Sequence, residues 1–209
     1  MGNGPPLQVM VAIPTSGWLH SYVVQAMLTK ILPTPGVKIH ITISTHRPIE
    51  NNRNRICIGF LRSNANWLLM MDDDNPPMCN PLELITLDLD IVGCPTPTNR
   101  NGKIAWNVYR HDSSGQFQSH RMGSGLEQVD AVGTGCILLS RRVIAALRQR
   151  PPFASQYDRY GALMLGSDLA FCVQAKELGF KVHTHWDYPC AHVCEANLYE
   201  IERKNDQAG

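Results

Sequence analysis

Through the first hundred of its 209 residues, the chain alternates short apolar runs with segments of helical spacing, and this alternation limits the fold more than any other feature. Residues 9–14 (VMVAIP) predict a buried strand, closed by the turn signal Thr15-Ser16-Gly17. Leu19, Tyr22, Val23, Met27 and Ile31 then recur at helical spacing until Pro33 and Pro35 stop the helix. Residues 38–44 (KIHITIS) alternate and are rich in β-branched side chains, which predicts a second strand. Residues 51–64 predict a helix with Ile56 and Phe60 on one face, residues 67–71 a third buried strand, residues 82–87 a helix and residues 90–94 a strand. Such a series predicts an α/β domain with a mostly parallel central sheet flanked by helices.

The second half reads differently. Residues 103–110 and 116–120 flank His111-Asp112-Ser113-Ser114-Gly115 as a small hairpin. Residues 133–140 predict a strand running into a helix over 141–149, and Pro151-Pro152 opens a loop to about residue 166. Residues 168–178 predict a helix with Ser167 as its N-cap and Gly179 as its stop, followed by a strand over 181–186. The length suits one core, so a single domain is expected over residues 1–195, with halves at about 8–95 and 96–195 and a polar tail at 196–209.

Composition narrows the class of partner. With 19 basic and 18 acidic side chains the net charge is +1, which gives no reason to expect a nucleic-acid partner. No apolar run approaches the ~18 residues of a membrane span, and residues 1–6 have neither a signal-peptide pattern nor the myristoylation pattern. Seven cysteines, an odd number scattered from Cys57 to Cys194, argue against a disulfide framework and for a reducing compartment. A cytoplasmic protein is therefore expected, with peripheral membrane association left open.

Three stretches could carry chemistry. In WLLMMDDDN (67–75) a buried strand runs into three consecutive carboxylates, Asp72, Asp73 and Asp74. In extended backbone Asp72 and Asp74 share a side, and carboxylates so crowded repel unless a cation relieves them. Mn²⁺ or Mg²⁺ takes such hard oxygen ligands, often together with substrate phosphates. The duller account is a solvated acidic turn, but the end of a parallel strand is where α/β sheets bind ligands. Asp168 opens the helix DLAFCVQAKEL, where a carboxylate is either plain dipole capping or a general base. The C-terminal cluster holds His183, His185, Cys190, His192 and Cys194; its spacing matches no common zinc finger. Arg53 and Arg55 could lie on a solvated helix face or grip a diphosphate, and Trp106 and Tyr109 could pack or stack on a sugar ring.

Taken in order, VAIPTSG, NNRNR, WLLMMDDDN, VGTGCILLSRRV, GSDLAFCVQAKELGF and AHV resemble the GT-A fold glycosyltransferases, especially small members of the inverting "family two" group. The resemblance implies a single Rossmann-like GT-A domain that moves a sugar from a UDP- or GDP-sugar to an acceptor hydroxyl with inversion. It implies that Pro14 and Thr15 lie against the nucleobase and that Arg53 helps hold the donor. Asp72 matches the first acid of the DxD motif, with Asp73 between it and the metal-binding acid, Asp74. Gly133, Thr134 and Gly135 match the strand beside donor sugar and acceptor, Asp168 the general base, and His192 a histidine that completes the Mn²⁺ or Mg²⁺ site. The family commonly shows Glu-Asp where this chain has Ser167-Asp168. The acceptor, whether saccharide, lipid-linked sugar or small molecule, is not named by the resemblance. Rival readings are a nucleotidyltransferase, although residues 14–17 lack that class's glycine-rich basic loop, and a nucleotide-sugar-binding module without catalysis.

Overall fold

The computed structural model describes residues 6–100 and 103–194; the expected tail lies outside the described residues. Its centre is a seven-stranded sheet in the order β2-β1-β3-β11-β4-β14-β9. These strands are β1 (Leu7–Pro14), β2 (Val37–Ser44), β3 (Trp67–Met71), β4 (Ile91–Gly93), β9 (Leu126–Val129), β11 (Cys136–Ser140) and β14 (Val182–His185). β1 pairs in parallel with both β2 and β3, and β14 in parallel with β4. β11 runs antiparallel between β3 and β4, and β9 antiparallel on the outer edge of β14. The expected mostly parallel sheet is therefore a mixed one. The reason is topological: β11 follows a hairpin excursion instead of a crossover helix, so it enters the sheet from the opposite end.

Both faces of this sheet are covered, which is why Trp67–Met71 is apolar at every position. Leu68 and Met70 join one cluster with Ile56 and Phe60 of α2 (Ile49–Arg62), Val143 and Ile144 of α3 (Arg141–Ala146), and Phe171 of α4 (Ser167–Glu177). Trp67, Leu69 and Met71 point the other way, to Val23, Met27 and Ile31 of the first helix and to Leu82 and Leu84. That first helix, α1 (Ser21–Ala26), continues as a π-helical turn over Met27–Ile31, and Pro81–Leu87 is a 3-10 helix. Arg141 fastens α2 to the sheet by donating to the carbonyls of Phe60, Leu61, Ser63 and Ala65, which include acceptors left open at the helix C-terminus.

The hairpin region departs from its sequence reading at Asn107. There the expected strand breaks into β6 (Lys103–Trp106), paired with β5 (Pro97–Arg100), and β7 (Val108–His111), paired with β8 (Phe117–Ser119) and with β10 (Ala131–Val132). The Asn107 side chain accepts from the Thr96 backbone N–H at 2.7 Å, a role incompatible with an uninterrupted ladder. The expected loop before α4 contains a short hairpin, β12 (Gln156–Tyr157) and β13 (Leu163–Leu165). Gly166, not Ser167, is the N-cap of α4: Ser167 is buried in the first turn and makes no capping bond. Among the described residues no helix is long and apolar enough to cross a membrane.

Asp130 ties α4 to β7, receiving the Lys176 ammonium and, at 2.9 Å, the His111 backbone N–H. Partial burial alone would raise this carboxyl, but Lys176 and His111 outweigh it and hold it down at about 2. The folded state thus titrates below the ~3.9 of an unfolded Asp, so the stabilisation is complete above that value and fades as the pH falls toward the folded one. Asp130→Asn should cost about 1 kcal/mol near neutral pH once solvent screening is allowed for. Urea melts should find that gap closing across the acid window.

Candidate functional site

Because β1, β2 and β3 are parallel, their C-terminal ends share one edge of the sheet, and the segments leaving them meet there. Thr15-Ser16 follows β1, His46-Arg47-Pro48 follows β2, and Asp72-Asp73-Asp74 follows β3. Together with Pro14, Ile49 and Arg53 they line a cavity of about 360 Å³. A second cavity, of about 210 Å³, shares Arg53, Asp72 and Asp74 with the first. It is completed by Asn75, Thr96, Thr98, Asn107, Tyr109, Gly133, Thr134, Gly135, Asp168 and His192. All the expected donor, metal and base residues, and Tyr109, thus border two adjoining concavities that meet at the acidic turn; Trp106 borders neither.

The three acids sit in a turn and not in extended backbone, with the Asp72 N–H donating to Gly135 O at 2.8 Å. Asp72 and Asp74 nonetheless border both cavities, while Asp73 borders only the first. Arg53 reaches up from α2 and its Nη2 donates to both Asp72 oxygens, at 3.0 and 3.1 Å. That guanidinium group is therefore engaged with a carboxylate, whereas Arg55 is exposed on the outer face of the helix. Burial pushes the Asp72 carboxyl up, and Arg53 pulls it back only in part.

Asp74 faces His192, with Nε2 3.5 Å from its carboxylate. The other ring nitrogen, Nδ1, lies 2.9 Å from the carbonyl of Pro97, which can only accept. Nδ1 therefore donates to Pro97 O, which leaves Nε2 as the ring nitrogen turned toward Asp74. The segment bearing His192 is fixed to the acidic turn by two backbone bonds, Val193 N–H to Asp74 O and Ala191 N–H to Pro76 O. Burial raises the Asp74 carboxyl, His192 counters this and Asp73 adds to it. An imidazole with its remote nitrogen anchored on a carbonyl, next to a carboxylate short of positive charge, is a donor set that fits a divalent cation.

Gly133 and Gly135 are needed here for close approach, not for backbone freedom. A Cβ on Gly133 would lie 2.8 Å from the Asn107 amide nitrogen, and one on Gly135 would lie 2.3 Å from the Asn75 side-chain oxygen. Gly135→Ala should therefore destabilise by about 1–3 kcal/mol, as overpacking does, with part of the loss appearing at the Asp72 turn that Gly135 supports. Denaturant melts check the first part, and weakened nucleotide binding checks the second.

Asp168 stands in the first turn of α4 at the rim of the second cavity, its Oδ1 accepting from Leu169 N–H at 3.0 Å. Thr15 lines the first cavity, but its hydroxyl is occupied in its own turn, donating to Trp18 O and accepting from Gly17 and Trp18 N–H. Of the two aromatic candidates, Tyr109 borders the second cavity, whereas Trp106 packs edge-to-face on Trp186 with centroids 5.9 Å apart. His183 and His185 lie on β14, away from His192, so no zinc cluster forms among residues 183–194. His46, Arg47, Asn75, Thr96 and Asn107 went unread in the sequence. The rule that ligands gather at the ends of parallel strands would have found the first two.

No protein-family model and no curated protein sequence matches the chain. Solved structures do. The chain shares its fold with A197 from STIV. That likeness has a TM-score of 0.66 over 90% of this chain and 87% of the other, at 14% identity. GalNAc-T7, solved with UDP, GalNAc and Mn²⁺, aligns with a TM-score of 0.59 at 11% identity over 92% of this chain. The alignment takes in only 45% of that longer chain. A CMP:2-keto-3-deoxy-manno-octonic acid synthetase complexed with CTP reaches a TM-score of 0.43, too low to carry any argument. At these identities the likenesses show the fold alone, and at that level they agree with the GT-A resemblance.

Proposed function

We propose that this protein is a metal-dependent glycosyltransferase that moves a sugar from a nucleotide-diphosphate sugar to an acceptor hydroxyl, with inversion. The observation that carries the reading is His192, anchored through Nδ1 on Pro97 O with Nε2 toward Asp74 where the two cavities meet. Support comes also from the shared fold with GalNAc-T7, whose structure holds UDP, GalNAc and Mn²⁺.

In this reading Asp74 and His192 hold Mn²⁺ or Mg²⁺, which when bound supplies positive charge to a departing nucleoside diphosphate. The first cavity, with Pro14, Thr15, His46 and Arg47, takes the nucleotide of a UDP- or GDP-sugar. Asp72, steadied by Arg53, accepts from nucleotide hydroxyls, and Asp73 borders the same cavity. Gly133, Thr134 and Gly135 form the wall along the donor sugar, with Tyr109 beside the acceptor. Asp168 takes the proton of the acceptor hydroxyl as that oxygen attacks the anomeric carbon from the side opposite the diphosphate.

The deciding experiment incubates the protein with UDP-, GDP- and dTDP-sugars, with and without Mn²⁺, and follows release of nucleoside diphosphate. Release that requires the metal is the expected result, and the active donor names the nucleotide. Tight donor binding without turnover would instead leave a binding module, and silence in both binding and release would sink the transferase reading.

A further inference from the structure

Behind the site, the chain brings together three thiols that the transferase reading does not use. Cys94 follows β4, Cys136 opens β11 and Cys190 lies in the segment after β14. Their sulfurs all lie within 4.8 Å of one another. All three are buried in the apolar cluster on the α1 side of the sheet, and none is in a disulfide. Their backbones are fixed independently of the sulfurs: Cys94 N–H donates to Cys136 O, and Cys190 N–H to Pro95 O, each at 2.9 Å.

Three soft donors buried side by side, with no His, Asp or Glu joining them among the described residues, select by ligand type against Mg²⁺ and Mn²⁺. They select by number as well. Structural zinc sites close with four ligands, and here there are three. A soft, thiophilic, closed-shell monovalent ion suits sulfur donors out of reach of water. We propose that Cys94, Cys136 and Cys190 form a three-sulfur binding site for Cu(I). Each sulfur that binds as a thiolate releases its proton to solvent, and no electron is transferred.

The location gives such an ion a structural task. Cys94 is two residues from Thr96, Cys136 directly follows Gly135, and Cys190 is two residues from His192. An ion joining the three sulfurs would brace, from the rear, the strand ends and the C-terminal segment whose front forms the second cavity. The inference does not depend on the transferase reading, since its readout is the ion itself.

The test uses the full chain carrying Cys79→Ser and Cys194→Ser, so that the two exposed thiols do not contribute. Cu(I) is supplied anaerobically from a competing chelator with a non-thiol reductant, and Zn(II) is run in parallel. One copper retained per chain and a raised melting temperature are expected, with copper-edge X-ray absorption reading three sulfur neighbours. Adding Cys94→Ser, Cys136→Ser or Cys190→Ser should abolish retention, whereas adding Cys57→Ser or Cys172→Ser, at buried thiols elsewhere, should not. The absorption measurement needs no variant in the site, so it decides the matter even if a serine there unfolds the chain. No retention, retention of zinc in place of copper, or a shell of nitrogen and oxygen neighbours would each overturn the proposal.

Discussion

Asp74→Asn is expected to lower metal-dependent release of nucleoside diphosphate by on the order of 100-fold or more, while the protein melts no earlier in the presence of a chelator. The asparagine keeps the volume of the side chain but removes the charge that pairs with a divalent cation. Without metal that charge is no asset to the fold. It is one of three consecutive carboxylates, half-buried, and burial and Asp73 outweigh what His192 and a backbone hydrogen bond do to offset them. Wild-type protein should melt higher when Mn²⁺ is added, because an ion that binds only the folded chain stabilises it by mass action. The variant should lose that increment together with activity. His192→Ala should show the same pair of losses more weakly, by roughly 10-fold in rate. A variant that retains both the metal-dependent melt and the turnover would remove Asp74 from the metal site. One that fails to melt cooperatively in chelator would show a structural role instead.

How far the sequence reached depends on what each feature required. The run Trp67–Met71 declared a strand buried on both faces, because nothing else accommodates five apolar residues before a row of acids. Ile56 and Phe60 set the inward face of α2 in the same way. Strand order and direction were not legible. CILLS packs equally well either way round, and only the hairpin excursion that precedes it decides that β11 runs antiparallel between β3 and β4. Local polar competition escaped as well: Asn107 breaks a strand because its amide is taken by Thr96, a residue that adjoins it only in three dimensions. The site followed the same division. The acids and His192 are legible by residue type, whereas nothing near Trp106 in the sequence signals that Trp186 packs against it. Cys94, Cys136 and Cys190 are remote in sequence, so an odd cysteine count was the only trace of their meeting.

Arg53→Met should destabilise the fold by about 3 kcal/mol near neutral pH, the scale expected when one partner of a buried ion pair is removed. The side chain of Arg53 is only 10% exposed and that of Asp72 22%, so solvent can do little for the carboxylate once its guanidinium partner is gone. Burial already pushes the Asp72 carboxyl up in the intact protein, with Arg53 the chief counterweight. Without it the folded state should bind a proton more readily still. A carboxyl raised in this way penalises the fold above its folded pKa and ceases to do so as the pH falls and it takes up its proton. The deficit of Arg53→Met should therefore shrink in acid, as the Asp130→Asn gap does, but because a penalty on the variant is relieved and not because a stabilising charge of the wild type is lost. Adding Asp72→Asn should restore much of the loss at neutral pH, because a neutral amide does not need the cation. Urea melts of the wild type, both single variants and the double variant give the coupling directly. A double variant no more stable than Arg53→Met would mean that Arg53 matters through the packing of its stem between α2 and β3, not through the charge it holds beside the acidic turn.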